Sequence, residues 1–478
     1  VKQTDISATA QNDTRNFAPL FGGGEIKMSS TPKAVTPFAG LASFFSWLGT
    51  IGYRARVAEV MPFGYKSPNA IPLDHTLRAF LSSVIVGASR FAHAGWLRHD
   101  KALHAMLGIP RFPGEDAIRR FFHQFSQARI EAFWRPLWIW LLGLMAAPAE
   151  GFTLDMDSTI FNREGRQQGA AKGYNPRRPG RKSHHPLLAV LAEAPFVLHA
   201  WLRSGNTSAG RGVVAFLSEA LALLPIHWKL RCVRADSGFF DKALLSFLET
   251  RAIPYIVVAR MTQEIKRRLH AIPHWQELEG GAYAVASFQA KLSGWDPYRR
   301  FVVVRERVRE EKAAVGRKLL DVPGYTFRVW VTNRPEDALE IWRDYNPRAT
   351  VEQRIEEIKN DLNADGFCTQ AFFATEAAFL AVLFAYNLLA LYQGQVTASC
   401  GYRKPSTLRT ALFVGGAILG RCGRKTLLRF SQAWGGLHKH NLLIDASLHT
   451  PKTIAPLLPR SPDLGQNYEL WASEACAI

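Results

Sequence analysis

Gly151-Phe-Thr-Leu-Asp155-Met-Asp157 alternates with period two, placing Phe152, Leu154 and Met156 on one face and Thr153, Asp155 and Asp157 on the other. Successive side chains of an extended chain point to opposite sides, so this alternation predicts a β-strand. Further strands are expected at 187–192, 196–203, 228–235 and 254–260, with helical spacing at 209–223 and 241–251. Strands interleaved with helices predict an α/β sheet. The first strand ends in Asp157-Ser-Thr159, and the strand at 228–235 runs into Asp236-Ser-Gly238. Both deliver a carboxylate followed by small polar residues. Hard divalent ions such as Mg2+ take oxygen ligands. A pair of them, about 3.5–4 Å apart, can activate the attacking oxygen and stabilise the leaving one in phosphoryl transfer. An Asp at a strand end also caps turns, so each residue alone leaves both readings open.

Outward from this core the texture changes. Upstream, helical spacing at 39–50, 73–92, 96–107, 115–126 and 129–145 predicts an all-helical domain over 36–148. Arg119 and Arg120 on the fourth of these suit either a DNA-recognition helix or a solvated basic face. Residues 1–35 read as a disordered leader, with Met28 a candidate start. Downstream of 261, Tyr283–Phe288, Phe301–Arg307 and Tyr325–Thr332 read as strands without long helices between them, a β-rich insert over 262–333. Helices follow at 346–363 and 374–393, and a helical C-terminal region is expected over 396–478. The α/β core thus occupies 149–261 and resumes over 334–395, interrupted by the insert.

The resumed core carries a third acid, in Tyr345-Asn-Pro-Arg348-Ala-Thr-Val-Glu352-Gln-Arg-Ile-Glu-Glu-Ile-Lys359. Asn346 is expected to cap a helix with Pro347 at its first position. At about 100° per residue, Arg348, Glu352 and Lys359 fall within roughly 40° of one another. One face would present a carboxylate flanked by two cations, suited to a metal ligand between phosphate clamps. The bland alternative is a solvated helix with i,i+4 ion pairs, which suits Glu356 and Glu357 better.

The spacing Tyr-x2-Arg-x3-Glu-x6-Lys, met without a gap by Tyr345, Arg348, Glu352 and Lys359, resembles the signature of the YREK group of bacterial insertion-sequence transposases, members of the DDE class. Asp157-Ser-Thr159, Lys172-Gly-Tyr-Asn-Pro176, Ser183-His-His-Pro186, Leu202-Arg-Ser-Gly-Asn206 and Arg234-Ala-Asp236-Ser-Gly-Phe239 resemble the same group, so the likeness covers about 150–395. It implies a ribonuclease-H-like catalytic core with Asp157, Asp236 and Glu352 as catalytic metal ligands, for two Mg2+ ions that Mn2+ can replace. Asp155 shares the strand face of Asp157, and the resemblance falls on Asp157. Tyr345, Arg348 and Lys359 would position phosphates.

Charge agrees with a polyanionic partner: 59 Lys and Arg stand against 40 Asp and Glu, a formal net charge of +19. Arg163, Arg166, Lys172, Arg177, Arg178, Arg181 and Lys182 face a single acid, Glu164, between 163 and 185. With its glycines this stretch reads as a mobile basic loop contacting phosphate, rather than a solvated hairpin. The adjacent His184 and His185 are poorly spaced to share a metal. The insert holds Arg299, Arg300, Arg305, Arg307 and Arg309 with Trp275, Trp295 and Trp330. An insert tryptophan such as Trp330 could stack on an extruded base, although such residues are more often core.

The five cysteines form no Cys-x-x-Cys pair, which argues against a disulfide scaffold or zinc knuckle. The apolar runs 133–147 and 377–392 are short for a membrane span and read as buried helices. The expected protein is therefore a cytoplasmic, nucleoid-associated DDE transposase. It would act as a homodimer on double-stranded DNA, cleaving inverted-repeat ends and joining the 3′-OH to target DNA. The alternatives are a metal-dependent nuclease of the same fold that does not join, and a non-catalytic DNA-binding protein descended from a transposase.

Overall fold

The computed structural model describes residues 30–307, 324–433 and 441–448, together with the backbone of 15–17 and 26–28. Arg309, Cys476 and most of the expected leader and tail lie outside these residues. Strands β1 (Arg15–Phe17) and β2 (Ile26–Met28) pair antiparallel, and β3 (Ala34–Thr36) follows, so the leader holds three short strands. The helices come next: α1 (Leu41–Thr50), α2 (Tyr53–Val60), α3 (Leu73–Ile85), α4 (Gly95–Arg98), α5 (Lys101–Leu107), α6 (Glu115–Phe122) and α7 (Gln127–Leu142). The expected helix 73–92 stops early, at Gly87 with φ 102°, a conformation open to glycine. Asp100 breaks the expected helix 96–107 by accepting the Leu103 N–H, which caps α5.

The central strands are β4 (Phe152–Ser158), β5 (Phe161–Arg163), β6 (Ala171–Lys172), β7 (Lys182–His184), β8 (Leu187–Leu191) and β9 (Phe196–Trp201). They are followed by α8 (Val213–Leu221), β10 (Leu230–Ala235), α9 (Lys242–Thr250), β11 (Tyr255–Val258) and α10 (Gln263–His270). The insert contributes β12 (Gln276–Leu278), β13 (Tyr283–Ala290), β14 (Arg299–Arg307) and β15 (Tyr325–Thr332). These nine-stranded sheet members run β12-β13-β14-β15-β11-β10-β4-β8-β9. β4, β10 and β11 are parallel, while β8 and β9 add antiparallel on one side and β15 on the other. The insert is therefore no separate β-domain: its strands extend the central sheet from β11.

Beyond the sheet lie α11 (Ala338–Tyr345), α12 (Ala349–Glu356), α13 (Phe372–Val396) and α14 (Pro405–Leu408). The expected helical tail is corrected here. After α14 the chain forms the hairpin β16 (Ala417–Cys422) and β17 (Lys425–Phe430), whose first strand pairs with β3, and only then α15 (Asn441–Leu448). The hairpin's partner lies almost four hundred residues upstream, and local spacing carries no trace of that pairing. α13 is long and apolar enough to cross a membrane by composition, but it is buried in the protein. Its Asn387, fully buried, accepts the Val197 N–H and donates to the Val197 carbonyl, both at 2.8 Å. Those bonds tie the helix to edge strand β9 and satisfy the Asn387 amide. One apolar cluster runs from Leu41 to Leu443, so the N-terminal helices share the core of α13 and the sheet.

Candidate active site

β4 and β10 are neighbours with Ala235 level with Met156, so Asp157 and Asp236 leave the same sheet edge side by side. Asp155, the other acid of the first motif, is fully buried, and Arg234 grips both its oxygens at 2.6 Å. The same guanidinium donates to the Asp344 carbonyl. A buried carboxylate so paired has its charge compensated inside the fold, the arrangement of a structural element. Asp157 is the acid that remains at the edge. Burial pushes its carboxyl up to about 6, and Asp236 and Glu352 add to the rise while Arg348 opposes it. Asp236 spends one oxygen on the Gly238 N–H at 2.8 Å, which caps the short turn Ser237–Phe239. The turn-capping and site-forming readings of that residue are thus compatible.

Arg348 stands between the acids. Its Nη2 lies 3.4 Å from Asp157 Oδ2 and donates to the Met156 carbonyl at 3.1 Å, and its Nη1 lies 4.0 Å from Glu352 Oε1. Only 5% of Arg348 is exposed, so it is an internal bridge rather than the surface phosphate clamp expected from the helical wheel. Burial works against its charge, but Tyr345 and the surrounding carboxylates hold its pKa above the usual value. Its Nε is buried with no hydrogen-bond partner. Glu352 is 68% exposed on the outer side of this bridge. Tyr345 lays its hydroxyl 3.5 Å from the Ala235 carbonyl, and burial pushes its pKa up to about 12. Asn346 does not cap with its side chain; α11 passes into α12 through the single turn Asn346–Arg348.

Among the described residues no three His, Cys, Asp or Glu side chains lie close enough to share a metal ion. The donor chemistry nonetheless suits a hard divalent cation: two carboxylates at one edge, and a third, exposed, across the Arg348 guanidinium.

Two supports were unassigned in the sequence, although their motifs stand in it. His185 Nδ1 lies 2.8 Å from the Thr207 carbonyl, which fixes the proton there and leaves Nε2 to face Ser158 Oγ at 3.1 Å. Arg203, buried, ties that loop by donating to the carbonyls of His185, Ser208, Ala209 and Arg211. His184 belongs to the framework: Nε2 donates to Gln168 and Nδ1 accepts from Arg163 Nε at 3.0 Å.

The expected mobile loop is ordered as a small sheet, β5-β7-β6, with Arg163 buried inside it. Gly173 backs onto Gly205 so closely that a Cβ would collide with the Gly205 carbonyl. Arg177, Arg178, Arg181 and Lys182 remain exposed. Arg177 reaches the neighbourhood of Lys359, whose pKa is lowered by burial first and by Arg177 second, against Asp365 and Glu356. Arg119 pairs with Glu115 at 2.7 Å and lies over Phe91, while Arg120 is exposed. Trp330 requires correction: it is 1% exposed and packs on Tyr345, with ring centroids 5.4 Å apart, which leaves no face for a base. Glu356 is exposed as expected, but Glu357 is buried.

This is a protein whose parallel strands and following helix gather acids around one arginine. The family model for Transposase DDE domain group 1 matches residues 23–445, and the chain belongs to that family, the DDE transposases, enzymes that cut and join DNA. Among solved structures, the chain is similar to the piggyBac transposase in its synaptic complex with hairpin DNA, at 10% identity and a TM-score of 0.44, covering 80% of this chain and 82% of that one. No curated protein matches it.

Proposed function

We propose that the protein cleaves double-stranded DNA at the inverted-repeat ends of its own insertion sequence and transfers the released 3′-OH to target DNA, as a homodimer at the bacterial nucleoid. The observation that carries this reading is the bridge Asp157–Arg348–Glu352 beside Asp236. The order β9-β8-β4-β10-β11, three antiparallel strands followed by two parallel ones, supports a ribonuclease-H-like core. The YREK spacing supports placement in that group of bacterial transposases.

Asp157, Asp236 and Glu352 would hold two Mg2+ ions, with Mn2+ able to substitute. Bound there, the metals supply activation of the attacking oxygen and stabilisation of the leaving one. The chain's own part is orientation. Arg348 opposes the rise in the Asp157 pKa and ties the strand end through the Met156 carbonyl. Tyr345 packs Arg348 against the β10 end, and Lys359 with Arg177, Arg178, Arg181 and Lys182 holds phosphates along the approach.

The test is strand transfer from a precleaved end duplex into a plasmid, with Mg2+ and with EDTA. The account expects metal-dependent joined product. Cleavage of uncut ends without joining would support the nuclease reading, and binding with neither reaction would support the non-catalytic one.

A further inference from the structure

The helix that bears Glu352 changes pitch just beyond it. α12 ends at Glu356, and Glu357–Asp361 forms a single π turn, which closes on the fifth residue instead of the fourth. That extra residue shifts Lys359 around the helix relative to Glu352, so the uniform 100° spacing does not carry through to it. Glu357, at the start of this turn, is 5% exposed. Its Oε2 accepts the Tyr402 hydroxyl at 2.6 Å and the Tyr386 hydroxyl at 2.9 Å. Arg354 lies 3.8 Å from Oε1 and its guanidinium covers the Tyr402 ring at 4.8 Å. At the far end of the turn, Asp361 Oδ2 accepts the Ser406 N–H at 3.1 Å and its hydroxyl at 2.8 Å. Arg409 donates to the Asp361 carbonyl at 2.5 Å.

A π turn is less favourable than the α turn it replaces, and a buried carboxylate is weak evidence for stability because an apolar replacement often serves better. Both features fall on the same turn, which follows the candidate metal ligand and contains the candidate phosphate-binding lysine. Both are held by one segment, 402–409, at the first and last residues of the turn. We propose that Glu357 is a positioning residue: pinned by Tyr402 and Tyr386, it maintains the π turn that sets Lys359 relative to Glu352. The proposal rests on the roles given above to Glu352 and Lys359.

The test compares Glu357→Gln and Tyr402→Phe with Leu217→Ala, a fully buried core truncation on α8, which packs on edge strand β9 and on α9. Single-turnover cleavage of end duplex at saturating Mg2+ would be measured beside end-binding Kd, Tm and amide hydrogen exchange over 357–362. Glu357→Gln should slow cleavage at least about tenfold, leave Kd within about twofold, and accelerate exchange in the turn. Tyr402→Phe should fall between it and wild type. Leu217→Ala should lose Tm and keep its rate. Wild-type cleavage by Glu357→Gln, unchanged exchange in the turn, or equal slowing by Leu217→Ala would each overturn the proposal. A wild-type protein without metal-dependent cleavage would instead remove the function on which it rests.

Discussion

The stretch 163–185 and the insert 262–333 look alike in sequence, both rich in arginine, but they spend their charges differently. In the insert, Arg299 is buried and clasps both oxygens of Glu249 at 2.7 and 2.8 Å, over the Trp295 ring. Arg300 donates to the carbonyls of Arg334 and Glu336. Arg305 lies over Trp275 and Tyr325 and 3.7 Å from Glu277. In 163–185 only Arg163 is consumed in this way, and Arg177, Arg178, Arg181 and Lys182 stay in solvent. Their acid, Glu164, reaches Arg181 only at 3.9 Å with both side chains exposed, an interaction worth about 0–1 kcal/mol. A basic composition marks an interface only where the fold leaves the cations unpaired.

The sharpest way to break this comparison is Arg299→Ala. It strands Glu249, to which the Tyr255 hydroxyl also donates, and should cost about 2–4 kcal/mol of stability by denaturant unfolding, while end binding corrected for folded fraction stays unchanged. A stable variant that binds DNA poorly would move the interface to the insert. Replacing Arg177, Arg178, Arg181 and Lys182 together by Ala should do the opposite. Melting should be nearly unaffected, end-binding affinity should fall at least about tenfold, or about 1.4 kcal/mol, and the log K against log salt slope should become shallower by about 3–4. An unchanged slope would mean that these cations touch no phosphate.

What could be read from sequence follows a physical divide. Period-two alternation exposed β4 and the acid at its end, since a strand's in-and-out pattern is local. The YREK spacing likewise drew attention to one helix. Three features depended on partners distant in the chain: Arg234 occupying Asp155, Trp330 closing under Tyr345, and β16 finding β3. The π turn at 357–361 escaped because the helical wheel assumes constant pitch, and Glu357 looked solvated until Tyr386 and Tyr402 were brought to it.

The central claim is that Asp157, not Asp155, serves the reaction, and a direct comparison of Asp157→Asn with Asp155→Asn tests it. Burial first, with Asp236 and Glu352 adding to it, pushes the Asp157 carboxyl up to about 6, so its amide isostere should fold as well as wild type while metal-dependent end cleavage disappears. Asp155→Asn leaves the buried Arg234 without its counter-charge and should lower stability by about 3–5 kcal/mol. The molecules that remain folded should still cleave. An Asp157→Asn protein that cleaves like wild type, beside a stable Asp155→Asn protein that does not, would contradict the account.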